Sequence, residues 1–80
     1  MTATDAHTME RYDRHVSRAI ADRHAYDELT ALRLFMGSET YRMLADDDLK
    51  LWHFGPAAVF DLWEAERATG DPRNSPYLRA

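Results

Sequence analysis

The sequence predicts an all-α protein: a small single-domain bundle of about four short helices, with a short extended segment before the last helix. Apolar residues recur at steps of three and four in the N-terminal third of the chain, which is the period of an amphipathic helix. The 3 glycines and 3 prolines are few, and most of them stand where a helix would begin or end. A chain of 80 residues allows one domain with a modest core, so residues 1–80 are assigned to a single helical domain.

The first helix is predicted over about residues 8–24. One apolar stripe runs along it, formed by Met9, Tyr12, Val16 and Ile20. Thr8 is the expected N-cap, and Asp5 is a competing cap one turn earlier. Residues 1–6 are small and polar, so we expect a frayed N-terminus.

Two further helices are predicted to meet at Gly37. The first covers about residues 27–36, and Gly37 ends it as a C-terminal glycine does. Its predicted apolar face consists of Leu29, Leu32, Phe35 and Met36. Ser38 follows at once and is expected to cap a third helix that extends to about Ala45. The residues expected to point inward are Tyr41 and Leu44, with Met43 or Thr40 alongside.

The stretch before the last helix is predicted to be extended. Three consecutive acids at 46–48 favour a turn, because adjacent carboxylates repel one another. Residues 49–54 then alternate in polarity as Leu-Lys-Leu-Trp-His-Phe, which is the period of a strand.

The last helix is predicted to begin at Gly55-Pro56, since proline is favoured at the first helical position. The sequence Gly-Asp-Pro at 70–72 is expected to end it. Residues 71–80 contain two of the three prolines and are predicted to form a C-terminal tail. The expected anchors of that tail are Tyr77 and Leu78.

Composition excludes several classes of protein. Lys+Arg 10 against Asp+Glu 14 gives a formal charge of −4, and the chain contains no cysteine. Disulfide frameworks, thiolate metal sites and cysteine nucleophiles are therefore excluded. No apolar run approaches the length of a membrane span, and the N-terminus lacks a signal-peptide pattern. We expect a cytoplasmic protein that does not associate with a membrane.

The residues that could perform catalysis or bind metal lack the necessary spacing. The four histidines are His7, His15, His24 and His53. None is four residues from another, as two metal ligands on one helix face would be. The acids at 46–48 lack the spacing of a calcium loop, and no serine lies in a glycine-flanked elbow. We therefore expect no enzyme activity, no metal, no cofactor and no small-molecule substrate.

A stripe of arginines supports an alternative hypothesis. Arg11, Arg14 and Arg18 are predicted on the outer face of the first helix and are the one credible anion patch. The break at Gly37-Ser38 superficially resembles a helix-turn-helix, which would make the chain a small dimeric DNA-binding transcriptional regulator. Its would-be reading helix offers Glu39 and a single arginine, and the chain is net acidic, so binding to nucleic acid is not expected.

Large aromatic side chains crowd the region around Gly55-Pro56. They can fill the core of a small domain, or they can form a contact surface, where aromatic residues dominate binding energy. The predicted interaction surface consists of Trp52, Phe54, Phe60, Trp63 and Tyr41. We expect it to bind another protein or a second copy of the chain, giving a homodimer, with Trp52 as the anchor.

A set of short motifs resembles a family of short, uncharacterised bacterial helical proteins. The resemblance covers about residues 25–66. It is carried by Ser38-Glu39-Thr40-Tyr41-Arg42-Met43-Leu44 (the family's Ser-x-Thr-Tyr-x-x-Leu segment), Leu51-Trp52, Gly55-Pro56 and Glu64/Glu66. Members are often encoded near toxin–antitoxin genes, so the resemblance implies an accessory or antitoxin-like role and no catalytic residue. Together these observations predict a non-enzymatic protein-interaction module.

Overall fold

The computed structural model describes residues 6–49 and 51–75, except for the side chains of residues 6–8, Asp47 and Trp52. The all-α prediction is confirmed: this part of the chain forms four α-helices and contains no strand. The helices are α1 (Ala6–His24), α2 (Glu28–Met36), α3 (Glu39–Ala45) and α4 (Pro56–Thr69). Three short 3-10 helices cover Asp47–Leu49, Leu51–His53 and Pro72–Asn74. None of the described helices is long and apolar enough to cross a bilayer.

The predicted apolar stripe of α1 is confirmed as the centre of the core. Val16 and Ile20 are fully buried, Tyr12 is nearly so, and Met9 packs at the edge of the cluster. The Tyr12 hydroxyl donates a 2.5 Å hydrogen bond to the carbonyl of Phe54, which ties α1 to the chain before α4. The helix begins at Ala6, two residues earlier than predicted.

Thr8 is therefore not the N-cap of α1. Its backbone lies within the helix, whereas an N-cap residue flanks the first helical residue. Asp5, the competing cap, lies outside the described residues, as does the predicted frayed segment except for Ala6.

The C-terminal end of α2 was predicted correctly, and the helix begins at Glu28, one residue after the predicted start. Asp27 is the N-cap, and its carboxylate accepts a 2.6 Å hydrogen bond from the amide of Thr30. Gly37 is the C-cap, and its amide donates to the carbonyl of Arg33 at 3.0 Å.

The predicted apolar face of α2 is partly wrong. Phe35 is fully buried as predicted, together with Ala31, but Leu29 and Met36 are 57% and 47% exposed. Six of the nine residues of this helix are apolar, so the sequence is compatible with more than one buried face. Packing against α1 selects the face that contains Ala31 and Phe35 and leaves the other apolar residues at the surface.

Helix α3 begins as predicted. The Ser38 hydroxyl accepts a hydrogen bond from the amide of Tyr41 at 3.1 Å and donates one to the carbonyl of Phe35 at 2.5 Å. The buried residues of the helix are Thr40, Met43 and Leu44. Tyr41, predicted to point inward, is only half-buried, because its ring packs edge-on against Phe35 at the margin of the core.

We expect Ser38→Ala to lower the free energy of unfolding by about 1 kcal/mol, since it removes a buried N-cap. Thermal melts of the wild type and the variant measure the effect. Ser38→Thr keeps the hydroxyl as both acceptor and donor and is the matched control, and equal melting temperatures for wild type and S38A would show that the cap contributes nothing.

The predicted extended segment is wrong. Its described residues form 3-10 turns, in which Leu49 donates to the carbonyl of Asp46 at 3.1 Å and Phe54 donates to that of Leu51 at 2.9 Å. An extended segment needs a neighbouring strand to satisfy its backbone groups, and the described chain offers none. Local turns satisfy those groups and still bury Leu51.

Helix α4 has the predicted ends. Gly55 is the N-cap, Pro56 occupies the first turn, and Gly70 ends the helix at φ 87°. This left-handed conformation favours glycine, and the Gly70 amide donates to the carbonyl of Glu66 at 2.7 Å. The buried residues of α4 are Ala58, Val59, Leu62 and Trp63.

The chain after α4 differs from the predicted tail. Residues 71–75 turn back against α4, and both Pro72 and Ser75 are buried. Asp71 caps this turn by accepting a hydrogen bond from the amide of Arg73 at 2.9 Å. The predicted anchors Tyr77 and Leu78 lie outside the described residues.

Candidate functional site

A groove of about 740 Å³ runs between α1 and α2 on the outside of the bundle. We call it the α1–α2 groove. Its lining residues are Glu10, Asp13, Arg14, Ser17, Arg18, Glu28, Leu29 and Leu32. The α1 side is polar and charged, whereas the α2 side presents two leucines and Glu28.

The apolar side of the groove continues along α2. Leu29, Leu32 and Met36 are spaced by three and four residues and therefore share one helix face, which we call the α2 stripe. Leu29 and Met36 are mostly exposed, and Leu32 is half-buried at the base. Leu34 is also exposed, at 40%, but it lies on the opposite flank of the helix. Single exposed leucines are ordinary, whereas a row of them beside a groove is typical of a contact surface.

The charges at the rim of the groove are of both signs. Glu10 and Arg14 form the ion pair expected from their four-residue spacing, at 3.6 Å, and both side chains are largely exposed. Arg18 and Glu28 are exposed and form no ion pair with any described residue. An exposed pair such as Glu10–Arg14 contributes little to stability, so these groups remain available to a binding partner.

Asp13 lies on the α1 side of the groove. Burial raises the pKa of its carboxyl, the nearby charge of Glu10 adds to that effect, and a hydrogen bond from the Tyr41 hydroxyl opposes it. Its Oδ1 atom is buried without a hydrogen-bond donor among the described residues. Burial, followed by the charge of Asp13, likewise raises the pKa of Tyr41. The ionised form of Asp13 is therefore disfavoured in the folded protein.

The pH dependence of stability should distinguish Asp13 from Asp27. The folded pKa of Asp13 is raised above 3.8, so its contribution to stability is greatest below that pH and is lost as pH rises through the folded pKa. We expect Asp13→Asn to raise the melting temperature near pH 7, and we expect the gain to vanish below about pH 3.8.

Asp27→Asn is the matched control, and we expect it to change the melting temperature near pH 7 in the opposite direction. The backbone hydrogen bond from Thr30 lowers the pKa of Asp27, so its contribution is lost as pH falls through the lowered value. We expect this variant to be less stable than the wild type near pH 7. Melts at several pH values that show the same sign for both variants would contradict the assignment.

The predicted aromatic interaction surface is largely core. Trp63 is only 4% exposed, so it lies in the core of the described fold. It is covered by the edge of the His24 ring, with centroids 5.6 Å apart, and by the Arg67 guanidinium 5.5 Å from its centroid. Phe54 and Phe60 pack against the same core and are half-buried.

The remaining members of that predicted surface add little exposed area. Tyr41 is half-buried and packs edge-on against Phe35, with ring centroids 5.1 Å apart. Trp52, the predicted anchor, has its side chain outside the described part of the structure. A bundle of this size uses its large rings to fill the space between α1, α2 and α4, because it has few other large side chains for that purpose.

The arginine stripe lies where it was predicted, on the solvent side of α1. Arg11, Arg14 and Arg18 are all exposed. Asp22 shares this side, and Glu10 already pairs with Arg14, so the patch carries both signs of charge. Arg14 and Arg18 line the α1–α2 groove, whereas Arg11 does not.

The Ser-x-Thr-Tyr-x-x-Leu segment holds helices together. The Glu66 carboxylate, from α4, accepts hydrogen bonds from the amides of Glu39 and Thr40 at 2.9 and 2.8 Å. It also accepts one from the Thr40 hydroxyl at 2.7 Å, and Thr40 is fully buried. A carboxylate at a helix N-terminus satisfies free amides and suits the helix dipole. Since Ser38 caps α3 and Leu44 enters the core, these motif residues have structural roles.

A second cluster fastens the end of α1 to α4. His24 Nε2 and Glu64 Oε1 are 2.7 Å apart, and both side chains are half-buried. Arg67 donates a 2.6 Å hydrogen bond to the Tyr26 hydroxyl and lies over that ring. Glu64 is the second glutamate of the motifs that carry the resemblance, and its contact with His24 gives it a structural role as well.

No group of three or more histidines and acids is placed to hold a metal ion in the part of the chain that the structure describes. The sequence analysis named Leu29, Leu32 and Met36 as part of the apolar face of α2 and did not identify them as an exposed row. One signal was present: six apolar residues in nine exceed what one helix face can bury. Comparison of the chain with protein-family models, curated proteins and solved structures gives no match.

Proposed function

We propose that this protein is a non-enzymatic protein-interaction module that binds its partner through the α2 stripe and the adjoining α1–α2 groove. The observation that carries the proposal is the exposure of Leu29 and Met36, at 57% and 47%, on one face beside a concave surface. Covering apolar area releases about 25 cal/mol per Å², so a partner that covers this row gains affinity.

The shape and chemistry of the site suit a partner helix. A helix laid in a groove places apolar residues at steps of three and four against a matching row. Here that row is the α2 stripe, and charged side chains border it: Arg14 and Arg18 on one side, Glu28 on the other. A partner with apolar residues along one face and charges of both signs at its edges fits this surface.

The structure favours this function over DNA binding. The would-be reading helix α3 has seven residues, of which Thr40, Met43 and Leu44 are buried. Its one arginine, Arg42, is engaged with Glu39 at 3.0 Å. The alternative of a dimeric regulator depends on Arg11, Arg14 and Arg18, and it requires affinity for duplex DNA that falls steeply with rising salt.

The accessory or antitoxin-like role implied by the resemblance is compatible with such a surface. An antitoxin-like protein in the cytoplasm acts by covering its partner, which needs an exposed contact face and no catalytic group. The antitoxin-like role is inferred from the resemblance, whereas the contact surface is inferred from the exposed apolar residues of α2.

Site-directed photo-crosslinking in host cells tests the proposed surface. A photoreactive phenylalanine analogue replaces Leu29 in one variant, and Leu34 or Leu49 in the two matched controls. All three residues are exposed leucines, at 57%, 40% and 45%, but only Leu29 belongs to the α2 stripe. We expect a discrete protein adduct from the Leu29 position and none of comparable yield from the controls. Equal adducts from all three positions, or none from Leu29, would contradict the proposal.

A further inference from the structure

We propose that the partner helix carries one lysine or arginine within its apolar face, and that this basic side chain binds Asp13 on the α1 wall of the groove. The inference rests on the proposed function, because it names a chemical feature of the partner at the same surface. It is argued from the balance of charge around the groove and from the hydrogen bonding of the Asp13 carboxylate.

The charges around the groove leave one acid without a counter-charge. Glu10 is paired with Arg14 at one end, and Arg18 and Glu28 bring one charge of each sign to the other. Asp13 is the fifth charged residue of the lining and lies on α1 between Glu10 and Arg18. Three acids and two arginines give the lining a net charge of −1. No described residue forms an ion pair with Asp13.

The Asp13 carboxylate is incompletely hydrogen-bonded. The Tyr41 hydroxyl donates to it, but the Oδ1 atom is buried and has no donor among the described residues. The residue as a whole is half-buried and lines the groove, so the carboxylate is partly screened from water and lies next to the space that a partner fills. A buried polar atom without a partner is costly and uncommon in native proteins. A donor supplied by the partner would complete its hydrogen bonding.

Binding of a purely apolar helix would increase this cost. Such a helix would cover the groove and remove the remaining water from Asp13, which would leave a negative charge in an apolar contact without a counter-charge. A lysine or arginine opposite Asp13 instead donates a charge-assisted hydrogen bond and balances the charge of the lining. The same carboxylate therefore disfavours apolar helices and favours one with a basic residue at this position. Asp13 is the specificity-determining residue of the surface.

Stability and binding should respond to Asp13 in opposite directions. Asp13→Asn keeps the size of the side chain and is expected to raise the melting temperature near pH 7. A residue that lowers the stability of the fold and lines a contact surface is typical of a binding site, where function requires a group that folding does not favour. A loss of binding in this variant, accompanied by a higher melting temperature, is therefore not a loss of folding.

The test repeats the crosslinking at Leu29 in host cells with two further substitutions. In the Asp13→Asn background we expect the yield of the adduct to fall about tenfold, because the partner's basic side chain loses its counter-charge. Glu10→Gln is the matched control. It removes one negative charge from the same wall of the groove, but Glu10 is largely exposed and is paired with Arg14, so we expect the adduct to be retained.

The crosslinked segment of the partner identifies the basic residue. We expect mass spectrometry to show a lysine or arginine within about two helical turns of the crosslink, flanked by apolar residues at steps of three and four. A synthetic peptide of that segment should bind the purified chain, and replacing its basic residue with norleucine should weaken binding about tenfold. The same replacement should have little effect on binding to Asp13→Asn, because that variant no longer offers the counter-charge.

Three results would overturn this inference and leave the interaction module standing. They are an adduct yield that Asp13→Asn does not lower, a crosslinked segment without a basic residue in its apolar face, and an equal effect of norleucine on binding to the wild type and to Asp13→Asn. An adduct of twice the chain mass would identify a second copy as the occupant and would overturn it as well. The absence of any adduct from Leu29 in the wild-type background would overturn both proposals, so the two failures are distinguishable.

Discussion

Replacing Phe35 with alanine is expected to lower the free energy of unfolding by about 3–4 kcal/mol, which is the largest loss for any single substitution considered for this chain. Phe35 is fully buried in the core and packs edge-on against Tyr41 of α3. Its removal loses the transfer free energy of the ring and leaves a cavity. A domain of this size has about 5 kcal/mol of stability in total, so about 1–2 kcal/mol should remain and the denaturation midpoint should fall to less than about half of the wild-type value.

Leu29→Ala is the matched control for Phe35→Ala. Both positions are large apolar residues of α2, but Leu29 is 57% exposed, so its loss should cost less than about 0.5 kcal/mol. Comparable losses at the two positions would show that the helix buries a different face from the one described.

Removing the Glu66 carboxylate is expected to cost about 2 kcal/mol. In Glu66→Ala, the amides of Glu39 and Thr40 lose their acceptor, and the hydroxyl of Thr40 is left buried and unsatisfied. Since the contact joins α4 to the start of α3, amide hydrogen exchange should accelerate first in α3. Denaturant unfolding measures the loss of stability.

A double-mutant cycle isolates this contact. Thr40→Val keeps the size of the side chain and removes the hydroxyl, so the combined Glu66→Ala and Thr40→Val variant should lose less than the sum of the single losses. Glu66→Gln keeps an acceptor oxygen and should fall between the wild type and Glu66→Ala. Strict additivity of the two single losses would mean that Glu66 and Thr40 do not interact in solution.

Local signals made much of the fold predictable from the sequence. The C-terminal end of α2, the start of α3 and both ends of α4 followed from Gly37, Ser38, Pro56 and Gly70, because capping depends on neighbours along the chain. The stripe of α1 followed from its helical period. The prediction of an extended segment was wrong. The polarity of residues 49–54 alternates with the period of a strand, but the described fold contains no neighbouring strand to pair with it, so these residues form local turns instead.

The candidate site was harder to predict because it depends on tertiary packing. Contact with α1 determines which face of α2 is buried. The sequence of α2 does not indicate that face, because apolar residues occupy most of its positions. The Glu66 carboxylate meets Thr40 across 26 positions of the chain, which no local pattern encodes. The aromatic residues were over-interpreted for the same reason: the covering of Trp63 by His24 and Arg67 appears only in the folded molecule.

The central claim is that the contact surface of this protein is the α2 stripe with the α1–α2 groove, rather than the aromatic segment. Backbone amide NMR spectra of the labelled protein, recorded with and without the partner recovered by crosslinking at Leu29, test it most directly. We predict that partner-dependent shifts are confined to residues 10–18 and 28–36. Shifts that cluster instead in residues 51–63 would contradict the account.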